Sequence, residues 1–260
     1  MEELVIIIPI HKYNDNVKTL LTRAINSVPK GLEVRLSCAH GIGEQLTEFK
    51  NIEDVQLTVY ENPNVESPTD FASLVNQAVG NSKWFSILEF DDEYTDIWLD
   101  NVKRYIQFNP DVSVFLTLTD LIDFETGKYV GFNNEAPWAS SFSDEIGFID
   151  HECIQSYFDF NLTGSVFNTD DWMEVGGLKP SMKLSFWYEL MLRWTNKGKR
   201  IFVIPKLGYK HYVNRPDSLF DLYKDTMDST ESEWWYDLAK QECFYSTDRN
   251  KTYVKEEKGE

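Results

Sequence analysis

Residues 4–10, LVIIIPI, form an unbroken apolar and β-branched run, the pattern of a strand covered on both faces. After a polar stretch, Val17, Leu20, Leu21, Ala24 and Val28 recur at helical spacing behind an N-cap region at 14–16. LEVRLSC (32–38) and VQLTVY (55–60) predict two more strands. Phe71, Leu74, Val75 and Ala78 mark one face of a second helix, with Thr69 or Asp70 as its cap. WFSILEF (84–90) predicts a fourth strand, and a helix from about Thr95 to Phe108 is closed by Pro110. VSVFLTLTDLID (112–123) predicts a fifth strand, after which residues 124–160 read as aromatic-rich loops. Order returns in SFWYELMLRWTNKGK, a helix capped by Ser185, with Trp187, Leu190, Met191 and Trp194 inward and Gly198 just past its end. A strand RIFVIP (200–205) and an amphipathic helix from about Ser229 to Phe244 complete the pattern, before a tail expected to be disordered.

Strands alternating with helices of this length imply parallel βαβ units and an open, doubly wound α/β sheet. In such sheets ligands bind beyond the carboxyl ends of the strands. No internal repeat or linker interrupts the pattern, so a domain over 1–225 with a helical extension and tail over 226–260 is expected.

Composition narrows the class. The chain of 260 residues is 42% hydrophobic and 15% aromatic, which suits a folded protein with a large core. No apolar run approaches the roughly 18 residues of a membrane helix, and the start MEELVIIIPIH reads as a strand, not a signal peptide. Cys38, Cys153 and Cys243 show neither zinc spacing nor a disulfide framework, so a soluble, cytoplasmic protein is expected. The net charge of −18 argues against a broad nucleic-acid footprint. The single basic run, NKGKR at 196–200, reads as the cationic end of a helix.

The candidate chemistry lies in ILEFDDEY (87–94), where a strand runs into four acidic residues. Side chains two apart on a strand share a face, so Glu89 and Asp91 point the same way, with Asp92 opening the turn. Two converging carboxylates suit Mg2+ or Mn2+, completed by substrate phosphates. The competing reading has Asp91 and Asp92 capping the next helix and Glu93 in solvent. Local sequence leaves both open. The chain holds no P-loop, GxSxG or HExxH, and the lone GxG of HGIGEQ reads as a turn.

The order of motifs resembles the family-2 glycosyltransferases of the GT-A fold. An opening strand and helix of the type "IP.YN … L..AI.SV" are matched by IIIPIHKYNDNVKTLLTRAINSV. A helix carrying an Asn before an acidic strand end is matched by FASLVNQAVGNSKWFSILEFDD, and "GS.F....F.EVGG" by TGSVFNTDDWMEVGG. FWYELMLRWTNKG answers "ED.EL.LR....G", and YKHYVNRPDSLF answers "Y......R..S". The resemblance runs from about residue 4 to 220.

That resemblance implies a nucleotide-sugar donor and an inverting transfer to an acceptor hydroxyl on a glycan, a protein or a modified nucleic-acid base. By it, Pro9, His11, Tyr13 and Asn76 would border the donor, with Glu89 and Asp91 at the DxD-like position holding Mn2+ or Mg2+. Arg215 and Ser218 would belong to a segment closing over the diphosphate. Gly164 and Ser165 would lie on the acceptor side, and His211 would be a third metal contact. The departures are equally specific. Cys38 and Ala39 stand where the family carries base-binding carboxylates, and Phe186 and Trp187 stand in place of its catalytic "ED". An inverting transfer needs a carboxylate to take the acceptor proton. Glu189 is the nearest replacement on that helix, although at i,i+4 it could equally pair with Arg193. Asp170 and Asp171 are further candidates for that role, with capping of the WMEV turn as the competing reading.

Overall fold

The computed structural model describes residues 4–52, 55–65, 71–182, 184–216, 218 and 229–242. In chain order the elements are β1 (Leu4–Ile10), α1 (Asp15–Ser27), β2 (Glu33–Ala39), β3 (Gln56–Asn62), α2 (Phe71–Ala78), β4 (Trp84–Ile87), β5 (Glu93–Tyr94) and α3 (Trp98–Phe108). There follow β6 (Val112–Asp123), β7 (Tyr129–Asn133), β8 (Phe148–Ile149), α4 (His151–Ser156), β9 (Val166–Asn168), α5 (Thr169–Val175), α6 (Phe186–Asn196), β10 (Arg200–Val213) and α7 (Ser229–Glu242).

The apolar run 4–10 is a strand buried along its whole length. Leu4, Ile6, Ile8 and Ile10 face one core with α1 and α3; Ile7 faces the other, with α2, α5 and α6. Helix α1 begins where the sequence predicts, because the Asn14 side chain accepts a hydrogen bond from the Val17 amide at 2.9 Å. The expected caps of α2, Thr69 and Asp70, lie outside the described residues, as does the tail.

The central sheet runs in the order β3-β2-β1-β4-β9-β6-β10-β5, with β7 added to β6 and β8 to β10. The pairs β1–β2, β1–β4, β2–β3 and β6–β10 are parallel, whereas β9 lies antiparallel between β4 and β6. This is the open α/β sheet of the GT-A class. The chain steps from β1 outward to β2 and β3, then returns to β4 on the other side of β1. The crevice between the carboxyl ends of β1 and β4 is therefore the topological switch point, the place where such sheets bind ligands.

Four local expectations are corrected. Strand β4 stops at Ile87, not residue 90, because the Leu88 amide makes the last ladder bond, to the Ile7 carbonyl (3.0 Å), and the Glu89 amide leaves the sheet for the Tyr209 hydroxyl (3.1 Å). Strand β10 continues to Val213, well past the expected end at 205, because after an irregularity at 204–209 it keeps pairing with β6. Ordered structure, β7 to α4, occupies much of the region read as loops, since β7 folds back on β6. Ser185 does not cap α6; its hydroxyl donates to the Trp235 carbonyl at 2.8 Å and ties α7 to α6. Trp235 and Ala239 of α7 are buried in the same core as α6, so this extension packs onto the sheet domain. Among the described residues no helix is long and apolar enough to cross a membrane.

Candidate functional site

Pro9 and His11 stand at the end of β1, facing the segment 88–92 that follows β4. The pairing of β1 with β4 ends at Ile7, so Pro9, which has no N–H to offer, lies beyond that ladder. The His11 ring packs against Phe90 with centroids 5.6 Å apart. Burial, with Lys12 and Arg215 nearby, pushes the His11 imidazole down to about 4. At neutral pH it is uncharged and closes one side of the crevice.

The segment after β4 is held from across the sheet by the last residues of β10. Tyr209 takes the Glu89 amide, and the Tyr212 amide donates to Asp92 Oδ1 at 2.9 Å. His211 Nδ1 lies 2.9 Å from Asp92 Oδ2, and the Tyr212 hydroxyl donates to Glu93 at 2.7 Å. Just past the strand, Arg215 Nε sits 2.5 Å from Asp91 Oδ2, its guanidinium over the Phe90 ring at 5.3 Å. From α1, Arg23 donates to the Asp91 carbonyl at 2.5 Å, pairs with Glu93 at 2.8 Å and covers the Tyr212 ring at 3.9 Å. The acidic segment is thus clasped residue by residue, and Glu93, expected in solvent, is instead bound by Arg23 and Tyr212. Asp91 and Asp92 are both buried, and neither caps α3, whose N-terminus lies at Ile97.

The carboxylates crowd one another. Burial first, then Asp92 and Asp91, push Glu89 up to about 8, and burial and Asp92 also raise Asp91 against the pull of Arg215. Burial alone would lower His211; Asp92 at its Nδ1, with Glu89 and Asp91 beyond, overrides this and raises it to about 9. Asp91 Oδ1 is buried without a hydrogen-bond partner, and no described residue bonds the Glu89 carboxyl. An orphaned carboxylate oxygen beside an uncompensated carboxyl fits a hard divalent cation completed by phosphate oxygens. No group of three or more His, Cys, Asp or Glu forms a ready cage among the described residues. His211, the expected third contact, turns Nδ1 to Asp92 Oδ2.

Other expected site residues sit differently. The Tyr13 hydroxyl donates to Glu48 at 2.5 Å, and its ring meets Phe49 edge-on. Asn76 is turned away from the crevice: its amide donates to the Leu178 carbonyl (2.7 Å) and accepts from the Leu178 amide (3.0 Å), joining α2 to the turn after α5. Ser218 follows Arg215 through a bond from its amide to the Arg215 carbonyl at 3.3 Å. Gly164 lies against the site, its amide on the Ile87 carbonyl at 2.7 Å, while the Ser165 hydroxyl is buried and unpartnered.

The expectation that Glu189 replaces the missing base is corrected. It is 0% exposed, bound by Arg193 through Nε at 2.8 Å and Nη2 at 2.7 Å, with Lys179 Nζ at 3.0 Å. Arg193 also donates to the Val175 and Gly177 carbonyls, so the pair fastens α6 to the end of α5. At the head of α6, Trp187 stacks on Phe167 with centroids 6.1 Å apart and meets Phe71 edge-on. Asp171 pairs with Lys199 at 2.5 Å, away from the crevice.

The architecture is shared with S. aureus TarS. Its structure superposes with a TM-score of 0.57 at 15% identity, covering 94% of this chain and 44% of that one. The present chain therefore spans less than half of TarS. TarS 1-349 in complex with UDP gives a TM-score of 0.58 at 15% identity, over 92% of this chain and 72% of that one. The complex of TarS 1-349 with UDP-GlcNAc gives 0.55 at 14%, over 94% and 74%. No protein-family model matches the sequence, and no curated protein does.

Tyr209, Tyr212 and Arg23, which hold the acidic segment in place, were not among the residues the sequence singled out. The alternation of Tyr209 and His211 on β10 was the available signal, since residues two apart share a face.

Proposed function

We propose that this chain is a glycosyltransferase that moves a sugar from a nucleotide-sugar donor to an acceptor hydroxyl, with inversion. The observation that carries this reading is the pair Glu89 and Asp91 at the switch point, with Asp91 Oδ1 buried and unpartnered beside Arg215. That combination suits a diphosphate with its cation, and the fold shared with TarS in complex with UDP and UDP-GlcNAc supports it. Glu89 and Asp91 would hold Mn2+ or Mg2+, which when bound neutralises charge on the leaving diphosphate. Pro9 and His11 would wall the nucleotide. Arg215 would donate to phosphate oxygens, and the His211 imidazolium would add positive charge below them. The buried, free Cys38 and Cys153 support a cytoplasmic setting.

A specific observation favours a second reading, a GT-A-fold protein that binds the donor without transferring it. The head of α6 carries Phe186 and Trp187, and Glu189 is sealed in an ion pair. Release of nucleoside diphosphate from a panel of nucleotide sugars, with Mn2+ and with candidate acceptors, separates the two. Turnover of one donor, lost in Asp91→Ala, supports the enzyme. Donor binding without turnover under any acceptor supports the binding protein.

A further inference from the structure

Tyr209 stands between Glu89 and Gly164, fully buried, with no chemical part in the transfer described above. Its hydroxyl accepts the Glu89 amide at 3.1 Å, the first backbone bond after the β4 ladder ends. Its ring presses on Gly164, which has a φ of +75°; a Cβ there would lie 2.2 Å from the ring. Tyr209 also meets Tyr94 edge-on at 5.7 Å, and Tyr94 stacks on Trp98 at 3.9 Å. The Trp98 indole donates to the Gly164 carbonyl at 2.9 Å, and the Gly164 amide donates to the Ile87 carbonyl at 2.7 Å. These contacts close a ring: Ile87, Gly164, Trp98, Tyr94, Tyr209 and Glu89, returning through the chain to Ile87.

We infer that Tyr209 is the positioning residue of the site, its hydroxyl setting the backbone from which the Glu89 carboxyl faces the diphosphate position. The inference rests on the donor-site reading above. A buried amide has one direction in which to donate, and here the acceptor is a phenol fixed on three sides by Gly164, Tyr94 and β6. Removing the hydroxyl alone leaves the ring packing intact and frees the turn at Glu89. Nearby Tyr94 supplies a control, because its hydroxyl also makes one buried bond, to Ser86 Oγ at 2.7 Å, without touching Glu89.

The test compares wild type, Tyr209→Phe and Tyr94→Phe on the full chain. Amide exchange followed by NMR, without ligand, is expected to accelerate about tenfold at Glu89 in Tyr209→Phe and to stay unchanged at Leu88. UDP titration with Mn2+ is expected to weaken about tenfold in Tyr209→Phe and less than about twofold in Tyr94→Phe. Without Mn2+, the three proteins are expected to bind UDP alike. A Tyr209→Phe protein that binds UDP and Mn2+ as wild type does overturns the role of Tyr209. An equal loss in Tyr94→Phe overturns it too, by tracing the effect to general core stability. Wild-type protein that binds no UDP overturns the donor-site reading and this inference with it, whatever the exchange at Glu89.

Discussion

Asp91 and Arg215 are 124 residues apart in the chain and meet as a buried pair, Nε to Oδ2 at 2.5 Å. The guanidinium occupies one oxygen of the carboxylate while the other is orphaned. Arg215 thereby supplies part of the positive charge that a bound cation would bring to Asp91. Binding of the donor should transfer Arg215 from Asp91 to the phosphates and open Oδ2 to the metal.

Arg215→Ala tests that exchange. With Asp91 bare, Mn2+ alone is expected to raise Tm more in the variant than in wild type. UDP affinity in Mn2+ is expected to fall by roughly 10–100-fold, the worth of charge-assisted bonds to phosphate. Thermal unfolding and titration calorimetry read the two effects. An unchanged response to Mn2+ alone would mean that Arg215 does not compete for Asp91.

Glu189 should behave as a structural residue. Glu189→Ala leaves Arg193 buried against α5 without its carboxylate, so a loss of about 3 kcal/mol or more is expected in urea unfolding. Nucleotide binding per folded molecule should match wild type. A variant that stays stable and loses donor turnover would restore Glu189 to the chemistry.

His11 gives the site a pH signature. Its imidazole is pushed to about 4 in the folded chain, from an ordinary value of 6.5. Between those values the unfolded chain binds the extra proton, so the contribution of His11 to stability rises with pH. It is complete above 6.5 and is lost as pH falls through 6.5 towards 4. The full loss is up to about 3 kcal/mol. His11→Asn should flatten the urea midpoint across that window relative to wild type. Parallel curves for the two proteins would show that His11 is protonated freely in the folded state.

The fold was legible because its signals are local. The β-branched run at 4–10, the helical spacing behind Asn14 and the acidic end of β4 each follow from one stretch of chain. The clasp on 88–93 was not legible in the same way. Tyr209, His211 and Tyr212 reach the segment only because β10 runs on past 205 and pairs with β5. Pro205 and Gly208 interrupt that stretch in sequence, yet the strand continues across them, carried by pairing with β6 on one side. Glu189 shows the opposite failure. Its position in a motif suggested chemistry, whereas its partners Arg193 and Lys179 set its role, and Lys179 comes from a turn that the spacing on α6 could not reveal.

On the proposed reading, Glu89 and Asp91 hold a nucleotide diphosphate through a divalent cation. Calorimetric titration of UDP into the full chain, with and without Mn2+, tests it most directly, using Asp91→Ala as the comparison. Mn2+ is expected to strengthen UDP binding by about tenfold or more, and Asp91→Ala to abolish the gain. UDP binding that is absent, or indifferent to both Mn2+ and Asp91, would contradict it.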